Sequence, residues 1–313
     1  MSTTSVFDHP KPQLDEVEVR ALLKREYGLE GVTAPLVSER DQNLLLDAGA
    51  RRYVLKIANA VEDRRLLVLQ NGLLAHLALT APDLGVPRLV PTQGGAEIGE
   101  WTSGSAVHAV RLLTYLPGRL FSEVQKTPAL LGSLGAFVGR LTDGLRGFGH
   151  PAAHRVRFLW NLDEALAVKP WLEDVTPEHQ ALVARVFAGY EDRVVPRLPS
   201  LRAGVLHQDI NDNNLIVSSD GSSVTGLIDF GDMMFGRRIN ELAVTMAYAL
   251  LDMDDLYAAA GPLIAAYAAS CPLEPDEATV LFDLVAARLA VSVCVSSLRA
   301  HEFPDNTYLL ISQ

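Results

Sequence analysis

An α+β chain in two lobes, a small β-rich one followed by a larger and mainly helical one, is the fold this sequence predicts. Three observations carry that expectation. The length of 313 residues corresponds to about two domains or lobes. The first third mixes short strand-like apolar runs with two helical patterns. Beyond the punctuation "LPG" at 116–118 the pattern is helical almost throughout, broken by one hairpin with polar ends. The expected boundaries are therefore 1–116 for the first lobe and 117–313 for the second, with a hinge at 114–118.

Each element has its own local signal. The opening "STTSVFDHPKP" reads as a loose arm. "LDEVEVRALLKREYG" places apolar residues at helical spacing and stops at Gly28, a helix with a glycine end. "NLLLDA" at 43–48 and "RYVLKIA" at 52–58 read as strands of one hairpin joined through "GARR". "EDRRLLVLQNGLLAHLAL" repeats its apolar face every third or fourth residue and predicts a helix. "VRLLTYL" at 110–116 returns to strand. From "LLGSLGAFVGRLTDGL" onward long Ala/Leu/Val-rich stretches predict helices to about residue 300, with "DMDDL" at 252–256 as a solvated helix start. The interruption is "GVLHQDINDNNLIVSSDGSSVTGLIDFGD". There Leu215–Val217 and Val224–Phe230 flank a Ser/Gly turn.

Composition narrows the function. A net charge of −11 argues against nucleic acid as a partner, because a phosphate backbone needs clustered Lys and Arg. Cys271 and Cys294 show neither CxxC nor a neighbouring His pair, so they read as two buried thiols of a reducing compartment. The N-terminus lacks a charged-then-apolar signal pattern. No run is expected to reach the roughly 18 uncharged residues of a membrane span. A cytoplasmic protein with no membrane partner is expected.

The chemistry concentrates in "LHQDINDNNLIV" at 206–217, where Asp209, Asn211, Asp212, Asn213 and Asn214 crowd between two apolar runs. A turn needs one or two such residues. His207, Asp209 and Asn214 form H-x-D-x-x-x-x-N, and Asp229 follows in "LIDFGD" at the end of an apolar strand. Only five lysines occur, and Lys56 lies inside the apolar strand "YVLKIA". Phosphoryl transfer from a nucleotide needs this set: a lysine on the phosphates, a carboxylate and a carboxamide on a metal ion, and a carboxylate beside the attacking hydroxyl. Mg²⁺ takes oxygen ligands and keeps several waters, which suits Asn214 and Asp229. Asp209 is then the carboxylate aimed at the acceptor.

The order of lysine strand, "H-x-D-x-x-x-x-N" and "I-D-F-G-D" resembles the aminoglycoside phosphotransferase/choline kinase superfamily, whose fold is protein-kinase-like. "SERDQN", "YVLKIAN", "LQN", "HQDINDNNLIV" and "GLIDFGDMMFGRRINELAVTMAYALL" are similar to the branch holding hydroxylysine kinase and its bacterial relatives, some of them fused ahead of aminotransferases. The resemblance runs from about Glu39 to the C-terminus. It implies a nucleotide between two lobes, Asp209 as catalytic base, Asn214 and Asp229 as ligands of Mg²⁺, and Lys56 on the α/β-phosphates of ATP or GTP. It also places "SERDQN" (38–43) as the loop over the phosphates, with Ser38, Asn43 and backbone amides in place of glycines. Thr114 to Leu116 match the segment that meets the purine. Glu241 matches an acid that braces the catalytic loop, and His207 organises that loop. One departure stands out. The helix after the lysine strand, Arg64 to Pro82, holds no acid to pair with Lys56, and Gln70 and Asn71 are the polar side chains within reach of it.

The acidic surroundings favour an amino-bearing alcohol as acceptor. Asp212 and Asp232 are the candidates to receive its cationic group. Trp160 belongs to the acceptor wall in "VRFLWNLDEALAVKPWL" (156–172), a helical insert, with Arg157, Asn161 and Trp171 beside it. The resemblance implies 5-hydroxylysine or a related hydroxy amino acid. An aminoglycoside O-phosphotransferase and a homoserine- or choline-type kinase are the alternatives, and cooperation with an aminotransferase-type domain is a further implication. Two readings of another class are a non-catalytic nucleotide-binding module and a phosphohydrolase using Asp209 and Asp229. The intact Asp209–Asn214–Asp229 set weighs against the first. Lys56 and the strand-rich first lobe weigh against the second.

Overall fold

In the computed structural model, residues 11–38 and 40–302 are described. The expected N-terminal arm up to residue 10, Glu39 at the start of the family resemblance, and the C-terminal "LLISQ" lie outside the described residues. The chain divides into two compact units, Met1–Pro117 and Gly118–Gln313.

The first unit opens with helix α1 (Glu16–Leu22), which continues as a wider turn over Leu23–Tyr27. Asp15 caps it by accepting from the Glu18 amide while Glu18 reaches back, a capping box that satisfies two of the helix's unpaired N–H groups. Gly28 ends it at φ +62, a left-handed position that costs glycine nothing. Strands β1 (Val32–Leu36), β2 (Gln42–Asp47) and β3 (Arg52–Ile57) follow, then helix α2 (Arg64–Thr80). Strands β4 (Leu89–Val90), β5 (Gly99–Ser103) and β6 (Ala106–Thr114) complete the unit. All pairings are antiparallel, in the order β1-β2-β3-β6-β4, with β5 also on β6. Alternation along the strands sends Leu44, Leu46, Tyr53, Leu55, Ile57, Val110 and Leu112 to one face, where they meet Val19, Leu22 and Leu23. The opposite face carries Asn43, Lys56 and Arg111.

The second unit begins with β7 (Arg119–Leu120) and helix α3 (Pro128–Gly144), capped by Thr127. Helix α4 (Pro177–Gly189) comes next. Strands β8 (Ala203–Leu206), β9 (Leu215–Val217), β10 (Val224–Leu227) and β11 (Met234–Arg237) form two small ladders, β10-β9-β7 and β11-β8. Helices α5 (Ile239–Ala249), α6 (Leu256–Ser270) and α7 (Pro275–Glu302) close the chain. Asp255 caps α6 and Leu256 is its first residue, so the acidic "DMDDL" run is the start of that helix, as expected. Gly135 and Gly139 let α3 lie directly on α6, since a Cβ at either would strike the carbonyl of Leu263 or Tyr267.

Three expectations are corrected. The strand carrying Asp229 ends at Leu227, two residues short of it. The segment 156–172 is not an α-helix: it turns through Arg157 at φ +57 and then runs as 3₁₀ turns over Leu162–Asp174, with Pro170 inside. Finally, α7 contains a stretch long and apolar enough to cross a membrane, with mean hydropathy 2.0, although 61% of it is buried inside the protein. The charges of Asp283 and Arg288 disguise that stretch in the sequence, and the packed core of the unit accounts for its apolarity.

Candidate functional site

The loop from His207 to Asn214 leaves β8 and returns into β9, and its shape is set by buried polar contacts. The Glu241 carboxylate, fully buried on α5, accepts from the amides of His207 (2.7 Å) and Gln208 (2.8 Å). Burial pushes the Glu241 carboxyl up to about 7, against the pull of those two N–H groups. His207 is also fully buried. Its Nε2–H donates to the Ile228 carbonyl at 3.1 Å and its Nδ1 accepts from the Asp209 amide at 3.3 Å. Those partners define a neutral ring, and burial pushes its pKa down. Phe230 meets the ring edge-on at 4.7 Å. His207 therefore pins the Asp209 loop to the segment 228–230.

Gln208 and Asp229 both occupy the left-handed region, at φ +70 and +58. Such strain in non-glycine residues persists only where surrounding contacts hold it, and it clusters at functional sites. For Gln208 the holding contacts are the Glu241 brace and its Nε2 bond to the Trp160 carbonyl at 2.7 Å. The buried Gln208 Oε1 has no hydrogen-bond partner among the described residues.

Asp209 receives a donor on each oxygen. Asn211 Nδ2 donates to Oδ1 at 3.0 Å and Asn214 Nδ2 to Oδ2 at 2.8 Å. Asn214 Nδ2 also donates to the Asp209 carbonyl at 2.9 Å, and the Asn214 carbonyl accepts from the Ile228 amide at 2.9 Å. These bonds consume the Asn214 amide nitrogen and turn its Oδ1 away from Asp209. The structure thus brings Asp209, Asn214 and the approach to Asp229 together in one unit. Among the described residues no group of three or more His, Cys, Asp or Glu side chains forms a metal cage. A carboxamide oxygen from Asn214 and the exposed carboxylate of Asp229 could supply a two-ligand oxygen set. That fits Mg²⁺, which binds through one or two protein ligands plus waters and phosphates.

The remaining second-unit candidates stand around this loop. Asp212 is half-buried, and its carbonyl accepts from the Ser122 amide at 3.0 Å. Asp232 lies 4.0 Å from Arg155, whose guanidinium also donates to the Gly231 carbonyl and stacks on Phe158. Trp160 contributes its carbonyl to Gln208 and its ring face to Arg288. Arg288 itself went unnoticed in the sequence. Its only signal there was a cation inside the apolar run of α7.

In the first unit, register aligns the candidates. Asn43 opposes Lys56 across β2 and β3, and Lys56 opposes Arg111 across β3 and β6, so the three side chains share one face. Gln70 and Asn71 accept from Arg111, at 2.7 and 3.1 Å. The Asn43 Oδ1 is buried without a hydrogen-bond partner among the described residues. Ser38 Oγ accepts from the Asp41 amide at 3.2 Å, and the Asp41 carboxylate accepts from the Asn59 amide at 3.1 Å, which shapes the turn between β1 and β2. At 114–115, the Thr114 N–H donates to the Arg88 carbonyl and the Tyr115 N–H to the Arg52 carbonyl. The Leu116 amide has no backbone partner among the described residues.

Fold and site together define a protein-kinase-like phosphotransferase. The chain belongs to the phosphotransferase enzyme family, whose model matches residues 33–279. It is 32% identical to a hydroxylysine kinase of Xenopus laevis over 98% of this chain and 89% of that protein. It is 30% identical to a hydroxylysine kinase of Danio rerio, over 96% and 89%. Among solved structures, the fold is shared with an amicoumacin kinase in complex with AMP-PNP and Ca²⁺ (TM-score 0.71, 17% identity, 93% of this chain and 87% of that one). It is shared also with a microcompartment-associated aminopropanol kinase (TM-score 0.70, 20% identity, 96% and 100%). The protein is a small-molecule kinase that phosphorylates a hydroxyl group.

Proposed function

We propose that this kinase transfers the γ-phosphoryl of ATP or GTP, with Mg²⁺, to the hydroxyl of a hydroxy amino acid of the 5-hydroxylysine type, and that it does so in the cytoplasm. The observation that carries the reading is the Asp209 carboxylate, held on both oxygens by Asn211 and Asn214 on a loop braced by Glu241. A carboxylate fixed in this way is pre-oriented to receive a proton. As the acceptor oxygen bonds to the γ-phosphorus, its proton passes to Asp209. The bond to the β–γ bridging oxygen breaks, and the nucleoside diphosphate leaves. When bound, Mg²⁺ offsets charge on the phosphoryl oxygens, with Asn214 and Asp229 as its protein ligands.

The first unit serves the nucleotide in this reading. Lys56 takes the α/β-phosphates, Ser38, Asn43 and the neighbouring amides cover them, and the Thr114–Leu116 segment meets the purine, with the Leu116 N–H as its donor. The second unit serves the acceptor. Asp232 is already shared with Arg155, so Asp212 is the carboxylate we assign to the substrate's amino group, with Trp160 in the wall. The hydroxylysine kinases at about 30% identity over nearly their whole length support this acceptor class over an aminoglycoside, choline or homoserine.

The test is a coupled assay of nucleoside diphosphate release with Mg²⁺ and either ATP or GTP. The acceptors are 5-hydroxylysine, homoserine, choline, ethanolamine and several aminoglycosides, and Asp209→Ala serves as the blank. Turnover confined to 5-hydroxylysine supports the proposal. Turnover confined to another acceptor replaces the substrate, and nucleotide binding with no turnover on any acceptor replaces the enzyme with a binding module.

A further inference from the structure

Helix α7 is apolar through its middle, yet it carries Arg288 at 2% exposure. Taking a guanidinium out of water costs several kcal/mol, and the cost is met only by good geometry and a matching charge. The geometry comes from two side chains and one carbonyl. Nε donates to the Tyr248 hydroxyl at 3.3 Å, and one terminal nitrogen donates to the Trp160 carbonyl at 3.4 Å. The guanidinium carbon lies 4.5 Å from the Trp160 ring centre and 5.4 Å from that of Tyr248. These groups orient the fork and leave it one charged neighbour in the described contacts: the second terminal nitrogen stands 3.6 Å from Asp209 Oδ1.

That contact divides the two oxygens of Asp209. Oδ1 faces both Asn211 and Arg288, whereas among the described residues Oδ2 receives Asn214 alone. Resting on the reading of Asp209 as the base, we propose that Arg288 is a positioning residue that holds Oδ1 and so presents Oδ2 to the acceptor hydroxyl. The same arginine shares the Trp160 carbonyl with Gln208, which couples α7 to the strained residue preceding Asp209. A lysine would supply the charge but not the planar fork that reaches the Tyr248 hydroxyl, the Trp160 carbonyl and Asp209 together.

The experiment uses the full chain with Arg288→Met, Arg288→Lys and Asp209→Asn. It reads kcat, KM for each substrate, nucleotide affinity by calorimetry, and melting temperature. For R288M the expected result is a fall in kcat of about 100-fold, part of what a positioned base contributes, with nucleotide affinity within about threefold. R288K should recover about tenfold of that loss by restoring charge alone. The assignment is overturned if R288M keeps kcat within about threefold, or if kcat and nucleotide affinity fall together in step with melting temperature. Should R288M fail to fold, R288K decides: an unchanged kcat overturns the assignment, and a kcat about tenfold down at unchanged affinity supports it. Asp209→Asn separates the two claims. An active D209N removes the reading of Asp209 as base, whereas an inactive D209N beside a fully active R288M removes only the role of Arg288.

Discussion

Each unit buries one arginine among the described residues, Arg111 in the first and Arg288 in the second, and different kinds of neighbour hold the two. Arg288 faces a carboxylate and is steadied by a carbonyl, a hydroxyl and two ring faces. Arg111 sits directly across the sheet from Lys56 and is steadied by the carboxamides of Gln70 and Asn71. A carboxamide orients a guanidinium without cancelling its charge, and like charges directly opposite on one face destabilise a strand pair. Lys56 and Arg111 stand opposite one another on one face, an arrangement that under the proposed function suits a polyphosphate. The second unit sets its cation against the carboxylate proposed to receive a proton.

The comparison is tested most severely at Asp209. Asp209→Ala should lower kcat by about 1,000-fold while nucleotide affinity stays within about threefold. A parallel loss of affinity, measured by calorimetry, would merge the roles of the two units. At Asp229 the effect belongs to binding: Asp229→Ala should weaken nucleotide affinity by about tenfold in the presence of Mg²⁺ and leave it unchanged in EDTA. Equal losses in both media would exclude metal ligation.

Arg111 gives an effect of similar size that depends on the phosphates. Arg111→Met should cost about tenfold in affinity for the nucleoside triphosphate and little for the nucleoside, because a cation acts on phosphates in proportion to their charge. Were both to weaken equally, Arg111 would be a packing residue and the contrast with Arg288 would lapse.

The smallest effect concerns pH. Burial raises the Glu241 carboxyl to about 7, so the folded chain takes up a proton there more readily than the unfolded chain. That contribution to stability is fully present below the ordinary carboxyl range and is lost as pH rises toward about 7. His207, with its pKa lowered by burial, contributes in the opposite sense and costs stability as pH falls through the ordinary histidine range. The excess melting temperature of the parent chain over Glu241→Gln should therefore be greater at pH near 5 than near 8. A constant difference across that range would mean that Glu241 titrates alike in both states.

How legible this site was depended on chain distance. Asn211 and Asn214 reach Asp209 within five residues, so the loop's chemistry is written in consecutive positions. Glu241 acts 33 and 34 residues away, and only the family resemblance pointed to it. Arg288 meets Asp209 across 79 positions of sequence, and nothing local in α7 marks what it faces. The row Asn43, Lys56 and Arg111 was half visible: each strand was expected, but the register that aligns them was not. Gln70 and Asn71, the polar side chains expected near Lys56, accept from Arg111 on β6, the strand beside that of Lys56.

By itself the sequence determined what short-range physics determines. Apolar periodicity set the main helices and the central strands, a glycine ended the first helix, and a run of carboxylates and carboxamides between two apolar strands marked the loop for phosphoryl transfer. The tertiary structure decided which distant groups share an environment. It placed Glu241 under the loop, Arg288 against Asp209, and Arg111 beside Lys56. The physical reason is the same in all three cases. A buried charge is tolerable only where partners converge from separate elements, and that convergence is a property of strand register and helix packing rather than of neighbouring residues.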